Sequence, residues 1–276
     1  MTGISSKHPI TPKIYERDAL CEQHGNHTEK GFSLSGLETA TRWLGCANCN
    51  KAKQLAEELR QRADQESARQ RRLEQRLDMA GIPKAFRFCS FHNFEIKSEE
   101  MKHALSVAHT YASDFHSKHF KRGTGLVFGG GVGTGKTHLA MAIANHLLNS
   151  CTVMAIDAMN LIRHVRSTWR RDSPMSEEEV MNMYGYAFDL LIIDEVGVQR
   201  GTEDEQAIIF EIFNRRYGNL LPTILITNVG AKALNEFLGP RTWDRLYERS
   251  EFVRFGWETW RTKLRTAGSS SRVSHS

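Results

Sequence analysis

The sequence predicts an α/β fold, in which a parallel sheet flanked by helices follows a small N-terminal metal-binding module and a linking helix. Three observations predict it: a glycine-rich loop between an apolar run and a helix, a second apolar run that ends in two carboxylates, and paired cysteine and histidine residues before both. The length of 276 residues fits one α/β domain plus a smaller module, and a hydrophobic fraction of 40% is enough for a core.

The composition excludes several classes of protein. No stretch approaches the roughly 18 consecutive apolar residues of a membrane span, and the N-terminus lacks an apolar signal core, so we expect a cytoplasmic protein without a membrane partner. The net charge of +5 and the pI near 9.0 permit contact with nucleic acid without requiring it. Five cysteines without a secretion signal favour metal binding over a disulfide framework.

The first element is a candidate metal site. Its four possible ligands form two pairs, each separated by two residues: Cys21 with His24, and Cys46 with Cys49. Such pairs commonly build a tetrahedral site, and three thiolates with one imidazole suit Zn²⁺ and leave no open position for a catalytic water. His27 is an alternative to His24, and cysteines without a metal are the other interpretation.

A highly charged segment without Gly or Pro follows, from residue 51 to about residue 80. Its few apolar residues include two leucine pairs at i,i+4 spacing: Leu55 with Leu59, and Leu73 with Leu77. The pattern predicts a solvated helix with a thin apolar stripe, and a coiled-coil partner for it is an open alternative. The run Gly81-Ile82-Pro83 predicts the end of the helix and a linker, so we place the N-terminal module at residues 1–83.

The glycine-rich loop matches the phosphate-binding pattern G-x-x-x-x-G-K-[ST] at every fixed position. The loop and the residue after it are Gly130, Gly131, Val132, Gly133, Thr134, Gly135, Lys136, Thr137 and His138. Apolar residues 125–128 predict a strand before it, and residues 138–148 predict a helix after it. Glycines let backbone N–H groups point at the phosphates of ATP. We expect Lys136 to reach the β- and γ-phosphates and the Thr137 hydroxyl to ligate Mg²⁺.

The second apolar run, residues 188–193, predicts a central strand that ends in Asp194 and Glu195. Open α/β sheets bind ligands at the carboxyl ends of their strands. Asp194 is therefore expected to hold Mg²⁺, and Glu195 to orient or deprotonate the attacking water. A further predicted strand, residues 222–227, ends in Asn228, which either contacts that water or the γ-phosphate or lies in an ordinary turn.

Several arginines have two interpretations each. Arg215 and Arg216 end a predicted helix, where they either interact with the helix dipole or provide an arginine finger to a neighbouring active site. Arg241 and Arg245 are candidates for contact with the γ-phosphate, although each is a surface arginine by default.

Residues 158–171 combine basic side chains with an aromatic one. The candidates are Arg163, Arg166 and Arg170, at i, i+3 and i+7 on one face of a predicted helix, and Trp169. Basic grooves with stacking aromatics hold single-stranded DNA without sequence preference. The alternative is a solvated basic helix beside an acidic one.

Together these motifs resemble the DnaC-like helicase loaders, of which the IstB transposition helpers are close relatives. The resemblance rests on residues 129–140, 191–197, 214–217, 225–228 and 244–246, together with the stretch 46–88. It implies an AAA+ ATPase at residues 84–265, with Asn228 as sensor 1, Arg216 or Arg215 as the arginine finger and Arg245 as the sensor 2 arginine. The remaining residues, 266–276, are Ser-rich and are expected to be disordered.

The resemblance also implies the function and the partners. A member would hydrolyse ATP with Mg²⁺, associate with itself through its ATPase domain, bind a replicative DNA helicase through its N-terminal module and hold single-stranded DNA. Two alternatives stay open: an ATPase that assists a DNA transposase, as IstB does, and an adaptor that binds ATP but barely hydrolyses it. Asp194 and Glu195 argue against the adaptor, and the cysteine–histidine module favours the loader.

Overall fold

The computed structural model describes residues 12–34, 38–199 and 201–259. The predicted tail, residues 266–276, lies outside these ranges. Two compact units divide the chain between Arg72 and Leu73. The border therefore lies inside the charged helix and not at the predicted residue 83.

The first unit contains a small antiparallel sheet followed by a long helix. In chain order the strands are β1 (Lys13–Cys21), β2 (Gly25–Ser33) and β3 (Arg42–Trp43), and the sheet order is the same. The turn between β1 and β2 carries the first pair of predicted metal ligands. Helix α1 (Ala47–Met79) begins directly after Cys46, so the second pair lies at its start. Its residues up to Arg72 belong to this unit.

The second unit is built around a five-stranded parallel sheet. Its strands are β4 (Gly125–Gly130), β5 (Val153–Asp157), β6 (Leu190–Asp194), β7 (Thr223–Thr227) and β8 (Ser250–Phe255), in the sheet order β5-β6-β7-β4-β8. Its helices are α2 (Glu99–Ser113), α3 (Phe120–Arg122), α4 (Lys136–Leu147), α5 (Ala158–Ser167), α6 (Glu177–Tyr186), α7 (Glu203–Gly218) and α8 (Ala231–Arg249). The parallel sheet confirms the predicted α/β class.

Helices cover both faces of this sheet, because alternate residues of each buried strand point to opposite sides. On β6, Leu190 and Ile192 join a core cluster with α2 and α4, whereas Leu191 and Ile193 join one with α5 to α8. All four side chains are fully buried. This layering leaves the carboxyl ends of the central strands open to a ligand.

The segment after α1 is packed and is not the linker that we predicted. Ala80 and Ile82 are each 2% exposed and belong to the core of the second unit. The amide of Ala155, on the edge strand β5, donates to the carbonyl of Ala80 at 2.8 Å. Gly81 has a φ of 65°, and a Cβ on it would come within 2.4 Å of the Ala155 carbonyl oxygen, so a glycine is required here.

Candidate nucleotide and metal sites

A cavity of about 420 Å³ opens at the carboxyl ends of the central strands. Lys136, Asp194, Glu195 and Asn228 all line it, as do the phosphate-loop residues from Val132 to Thr137 and His138. They come from the ends of β4, β6 and β7, which are neighbours in the sheet. The structure therefore brings most of the residues predicted for ATP together in one cavity, whereas Gly130 and Gly131 line an adjoining depression that also includes Asn228.

The phosphate loop has the conformation that its glycines permit. Gly135 has a φ of 92° and lies immediately before α4, so the helix N-terminus points into the cavity. The Lys136 ammonium donates to the carbonyls of Gly130 at 2.8 Å and Gly131 at 2.5 Å. Burial lowers the pKa of Lys136, and the nearby Asp194 carboxylate opposes that shift. The loop thus holds a cation and a helix N-terminus where a phosphate would enter.

The predicted magnesium ligands are neighbours. The Thr137 hydroxyl donates to the Asp194 carboxylate across 2.8 Å. Burial raises the pKa of Asp194, while hydrogen bonds from Thr137 and from the Glu195 amide lower it. A hydroxyl and a carboxylate oxygen are ligands that Mg²⁺ prefers, so the donor set fits this ion.

Glu195 adopts an uncommon backbone conformation. Its φ is 58°, in the left-handed region that non-glycine residues seldom occupy. The Gln199 amide donates to the Glu195 carbonyl at 2.8 Å, and the Thr227 hydroxyl donates to the carbonyl of Val196 at 2.7 Å. Strained residues held in this way concentrate at functional sites, which agrees with a role for this carboxylate at the cavity.

One wall of the cavity was not predicted from the sequence. Phe86, Asn93, Phe94, Glu95 and Met101 line it, from the segment before the phosphate loop. A Cβ on Gly135 would come within 2.7 Å of the Phe94 ring, so the last loop glycine is also a packing requirement. The only signal in the sequence is a concentration of aromatic residues between positions 86 and 94.

His138 ties this wall to α4. Its ring packs against Phe94 at 5.6 Å, and its Nε2 lies 3.1 Å from the Ser90 carbonyl oxygen. Asn145, two turns later on α4, donates to the carbonyls of Phe86, Arg87 and Cys89. His138 therefore lines the cavity, and its Nε2 contacts the backbone of the segment that forms the wall.

Arg216 is an interior residue, which corrects its prediction as an arginine finger. Only 1% of it is exposed, and burial lowers the pKa of its guanidinium to about 9. It donates to the Thr223 hydroxyl at 2.9 Å and to the carbonyls of Tyr184, Phe188 and Pro222 at 3.1, 3.0 and 2.6 Å. Such a side chain cannot project into a neighbouring subunit without losing these bonds.

Arg215 and Arg245 also differ from their predicted roles. Arg215 binds both oxygens of Glu178 at 2.8 and 2.9 Å and pairs with Glu211 at 2.9 Å, so its guanidinium is held between α6 and α7.

Arg245 hydrogen-bonds Asn214 and lines a depression with Gly125 and the starts of β7 and β8. That depression lies at the amino ends of the strands, opposite the phosphate loop. Arg245 is thus misplaced for a sensor 2 contact with nucleotide on its own chain.

The predicted DNA-contact residues do not form one helical face. Helix α5 ends at Ser167, so Trp169 and Arg170 follow it and the predicted i+7 position does not exist. Arg166 lies 3.5 Å from the buried Glu205 carboxylate. Arg163 is exposed on α5, and Trp169 is 52% exposed with its indole donating to Glu177 at 2.7 Å. Arg163, Trp169 and Arg170 remain available as exposed groups.

The four predicted metal ligands converge in the first unit. The ligand atoms of Cys21, His24, Cys46 and Cys49 all lie within 4.8 Å of one another. The Cys21 and Cys49 sulfurs are 3.4 Å apart, and the His24 Nδ1 lies 3.3 Å from Cys49 and 3.6 Å from Cys21 and from Cys46. In a tetrahedral site with zinc–sulfur bonds of about 2.3 Å, ligand atoms lie roughly 3.8 Å apart, so this arrangement fits Zn²⁺.

The geometry also selects the histidine. His27 Nδ1 lies 3.4 Å from the Gly25 carbonyl oxygen, and His27 is not part of the cluster.

The hydrogen bond to His24 lowers the pKa of the Cys21 thiol to about 6, whereas the neighbouring Cys21 raises the pKa of the Cys49 thiol to about 11. A divalent cation would favour thiolates throughout the cluster.

Among the helices that the structure describes, none is long and apolar enough to cross a membrane.

Comparison with known proteins relates the chain to one family. The family described as IstB-like ATP binding protein matches residues 29–268. The replicative helicase loader DnaC of Escherichia coli strain K12 is 33% identical over 208 residues, which are 75% of this chain and 82% of that protein. The uncharacterized protein YdaV of the same strain is 33% identical over 198 residues, 71% of this chain and 77% of YdaV.

A solved structure is similar in fold. The crystal structure of the DnaC helicase loader has a TM-score of 0.55 and 22% sequence identity, covering 62% of this chain and 99% of that one. The similarity is to the fold alone at this identity, and it agrees with the predicted parallel sheet between helices.

Proposed function

We infer the function from family membership, because the chain belongs to the IstB/DnaC family of ATP-binding proteins. We propose that it is an ATP-dependent loader that places a replicative DNA helicase onto single-stranded DNA in replication initiation, in the cytoplasm. The observation that carries this proposal is the 33% identity to the replicative helicase loader DnaC over 208 residues. The cavity lined by Lys136, Asp194, Glu195 and Asn228 supports it, because a loader of this kind needs an ATP site.

Hydrolysis of ATP is the proposed chemistry. Thr137 and Asp194 would hold Mg²⁺, which neutralises phosphate charge when bound. Lys136 would face the β- and γ-phosphates, Glu195 would orient the attacking water and accept its proton, and Asn228 would contact that water or the γ-phosphate. The Thr227 hydroxyl ties the backbone after Glu195 to the strand that ends before Asn228, so the two groups are held in a fixed relation.

The N-terminal module is the proposed helicase contact. Zinc bound by its cysteine–histidine cluster would fix the β1–β2 turn to the start of α1. On the part of α1 that belongs to this unit, Leu55 and Leu59 are 58% and 56% exposed. Apolar side chains one turn apart on an otherwise charged helix suit a contact with a partner protein.

Two further parts of the proposal concern DNA and self-association. Arg163, Trp169 and Arg170 are proposed to contact single-stranded DNA through charge and stacking. Self-association through the ATPase domain is proposed because sites of this type are completed by an arginine from a neighbour. Arg215 and Arg216 are both engaged inside the domain, so that arginine has to be sought elsewhere.

The family also keeps a second candidate function open. The matching family is described by its IstB-like members, so an ATPase that assists a DNA transposase is the alternative. A pull-down distinguishes the two. We expect the chain to retain the replicative helicase of its cell in the presence of ATP, and the Cys49→Ser variant to lose it. Retention of a transposase and duplex DNA instead of the helicase would favour the alternative.

A further inference from the structure

A tryptophan that follows the last strand reaches the phosphate loop. The indole Nε1–H of Trp257 donates to the carbonyl oxygen of Thr134 at 2.9 Å, across 123 positions in the sequence. Thr134 is 3% exposed. The Gly135 carbonyl accepts from the Leu139 amide of α4, so the Thr134 carbonyl lies one residue before this first helical hydrogen bond. The Thr134 carbonyl is therefore a buried acceptor outside the helix, of the kind that requires a partner.

This hydrogen bond determines the direction of a loop amide. The Thr134 carbonyl and the Gly135 N–H belong to one planar peptide group, in which they point in opposite directions. Because the carbonyl faces Trp257, the Gly135 N–H faces away from it. Gly135 lines the nucleotide cavity, and backbone N–H groups of such a loop are what bind phosphate.

An aromatic column holds Trp257 in place. Its ring centroid lies 4.9 Å from that of Phe255 on β8, which lies 5.1 Å from that of Phe128 on β4. Phe128 and Phe255 are fully buried. At the same edge, a Cβ on Gly130 would come within 2.1 Å of the Phe255 carbonyl oxygen, so the end of β8 lies directly against the start of the loop. The indole ring is thus packed against the sheet, while its N–H donates to the loop.

We propose that Trp257 is a positioning residue for nucleotide binding, which holds the Thr134–Gly135 peptide with its N–H toward the phosphates. This proposal rests on the nucleotide site of the proposed function and adds a residue to it from outside the ATPase motifs. Trp257 acts before the chemical step, by preorganising a donor. It is absent from the lining of the cavity, so it acts on the nucleotide only through the Thr134–Gly135 peptide, and we expect it to change nucleotide affinity and not turnover.

The test compares Trp257→Phe with a matched control, Trp243→Phe, in the full chain. Phenylalanine keeps a ring on Phe255 but removes the N–H donor. Trp243 packs with Tyr247 and Phe252 on α8 and β8, away from Thr134. We expect the Kd for ADP to rise about tenfold in Trp257→Phe, the order of one lost hydrogen bond. The kcat for ATP should stay within about twofold at saturation, because Asp194, Glu195 and Asn228 are untouched.

A second measurement uses NMR on the wild-type protein, and the two variants serve only to assign its indole resonances. In ¹⁵N-tryptophan-labelled wild-type protein, the indole resonance that is missing from Trp257→Phe should shift on addition of ADP, and the one missing from Trp243→Phe should not. Equal affinities in the two variants, or a Trp257 resonance that does not respond to bound ADP, would overturn the proposal. If the wild-type chain binds no ADP or ATP, the proposed ATP site fails with it, which is a separate outcome.

Discussion

Replacement of Arg216 distinguishes a structural arginine from an arginine finger. The Arg216→Met variant removes every N–H donor while keeping a side chain of similar length. It leaves the carbonyls of Tyr184 and Phe188 and the hydroxyl oxygen of Thr223 without that donor in the interior. The Pro222 carbonyl also loses Arg216 but still accepts from the Leu191 amide at 3.3 Å. At about 1 kcal/mol for each buried acceptor that loses its partner, the variant should be roughly 3 kcal/mol less stable.

The loss of stability should appear as a lower melting temperature. For a domain of this size, about 1 kcal/mol corresponds to roughly 2–4 °C, so the Tm of the ATPase unit should fall by about 6–12 °C. Differential scanning calorimetry measures this, with Arg122→Ala as the control, since Arg122 is an exposed arginine in the same unit. The control should change the free energy of unfolding by less than about 0.5 kcal/mol.

An arginine finger would give the opposite result. It would leave the Tm unchanged and lower ATP hydrolysis by about 10³-fold or more with ATP still bound. Mixing such a variant with Lys136→Ala protein would then restore activity at mixed interfaces. Unchanged stability together with this complementation would refute the interior role of Arg216.

Three further substitutions test the candidate sites. Lys136→Ala should abolish productive ATP binding in a fluorescent-analogue titration, because it removes the cation at the phosphate loop; unchanged affinity would contradict the site assignment. Glu195→Gln should bind ATP normally but slow its turnover by about 10²-fold or more, since only water activation is lost; wild-type turnover would place the base elsewhere. Cys49→Ser should lower the zinc content from one ion per chain to near zero and leave ADP binding intact. The control Cys151→Ser, which replaces a cysteine outside the cluster, should keep the zinc. Wild-type protein without zinc would refute the metal site.

Local motifs were predictable from the sequence because chain geometry alone fixes them. The phosphate loop, Asp194 and Asn228 each follow a predicted strand, and the carboxyl ends of parallel strands lie at one edge of a sheet. The order of the strands, which makes these ends neighbours, was not predicted. Each pair of candidate zinc ligands was predictable for the same reason, since its members are separated by two residues, whereas the convergence of the two pairs depends on the fold.

The roles of the arginines depended on packing that the sequence does not show. Whether Arg216 is buried follows from the positions of β7 and α6, and the position of Arg245 follows from the direction of α8. Helix α5 ends at Ser167 although the basic pattern continues beyond it, so Arg170 does not lie on the predicted helical face. The aromatic wall of the nucleotide cavity also depends on tertiary contacts, and no periodic pattern in the sequence predicts it.

Helicase loading is the measurement that tests the central claim most directly. The replicative helicase of the cell is mixed with circular single-stranded DNA carrying an annealed fragment, and strand displacement is followed with and without this chain and ATP. We expect displacement to rise with the wild-type chain and ATP, and to stay at the level of helicase alone with Lys136→Ala. No stimulation by a wild-type chain that binds ATP and carries zinc would contradict the proposed loader function.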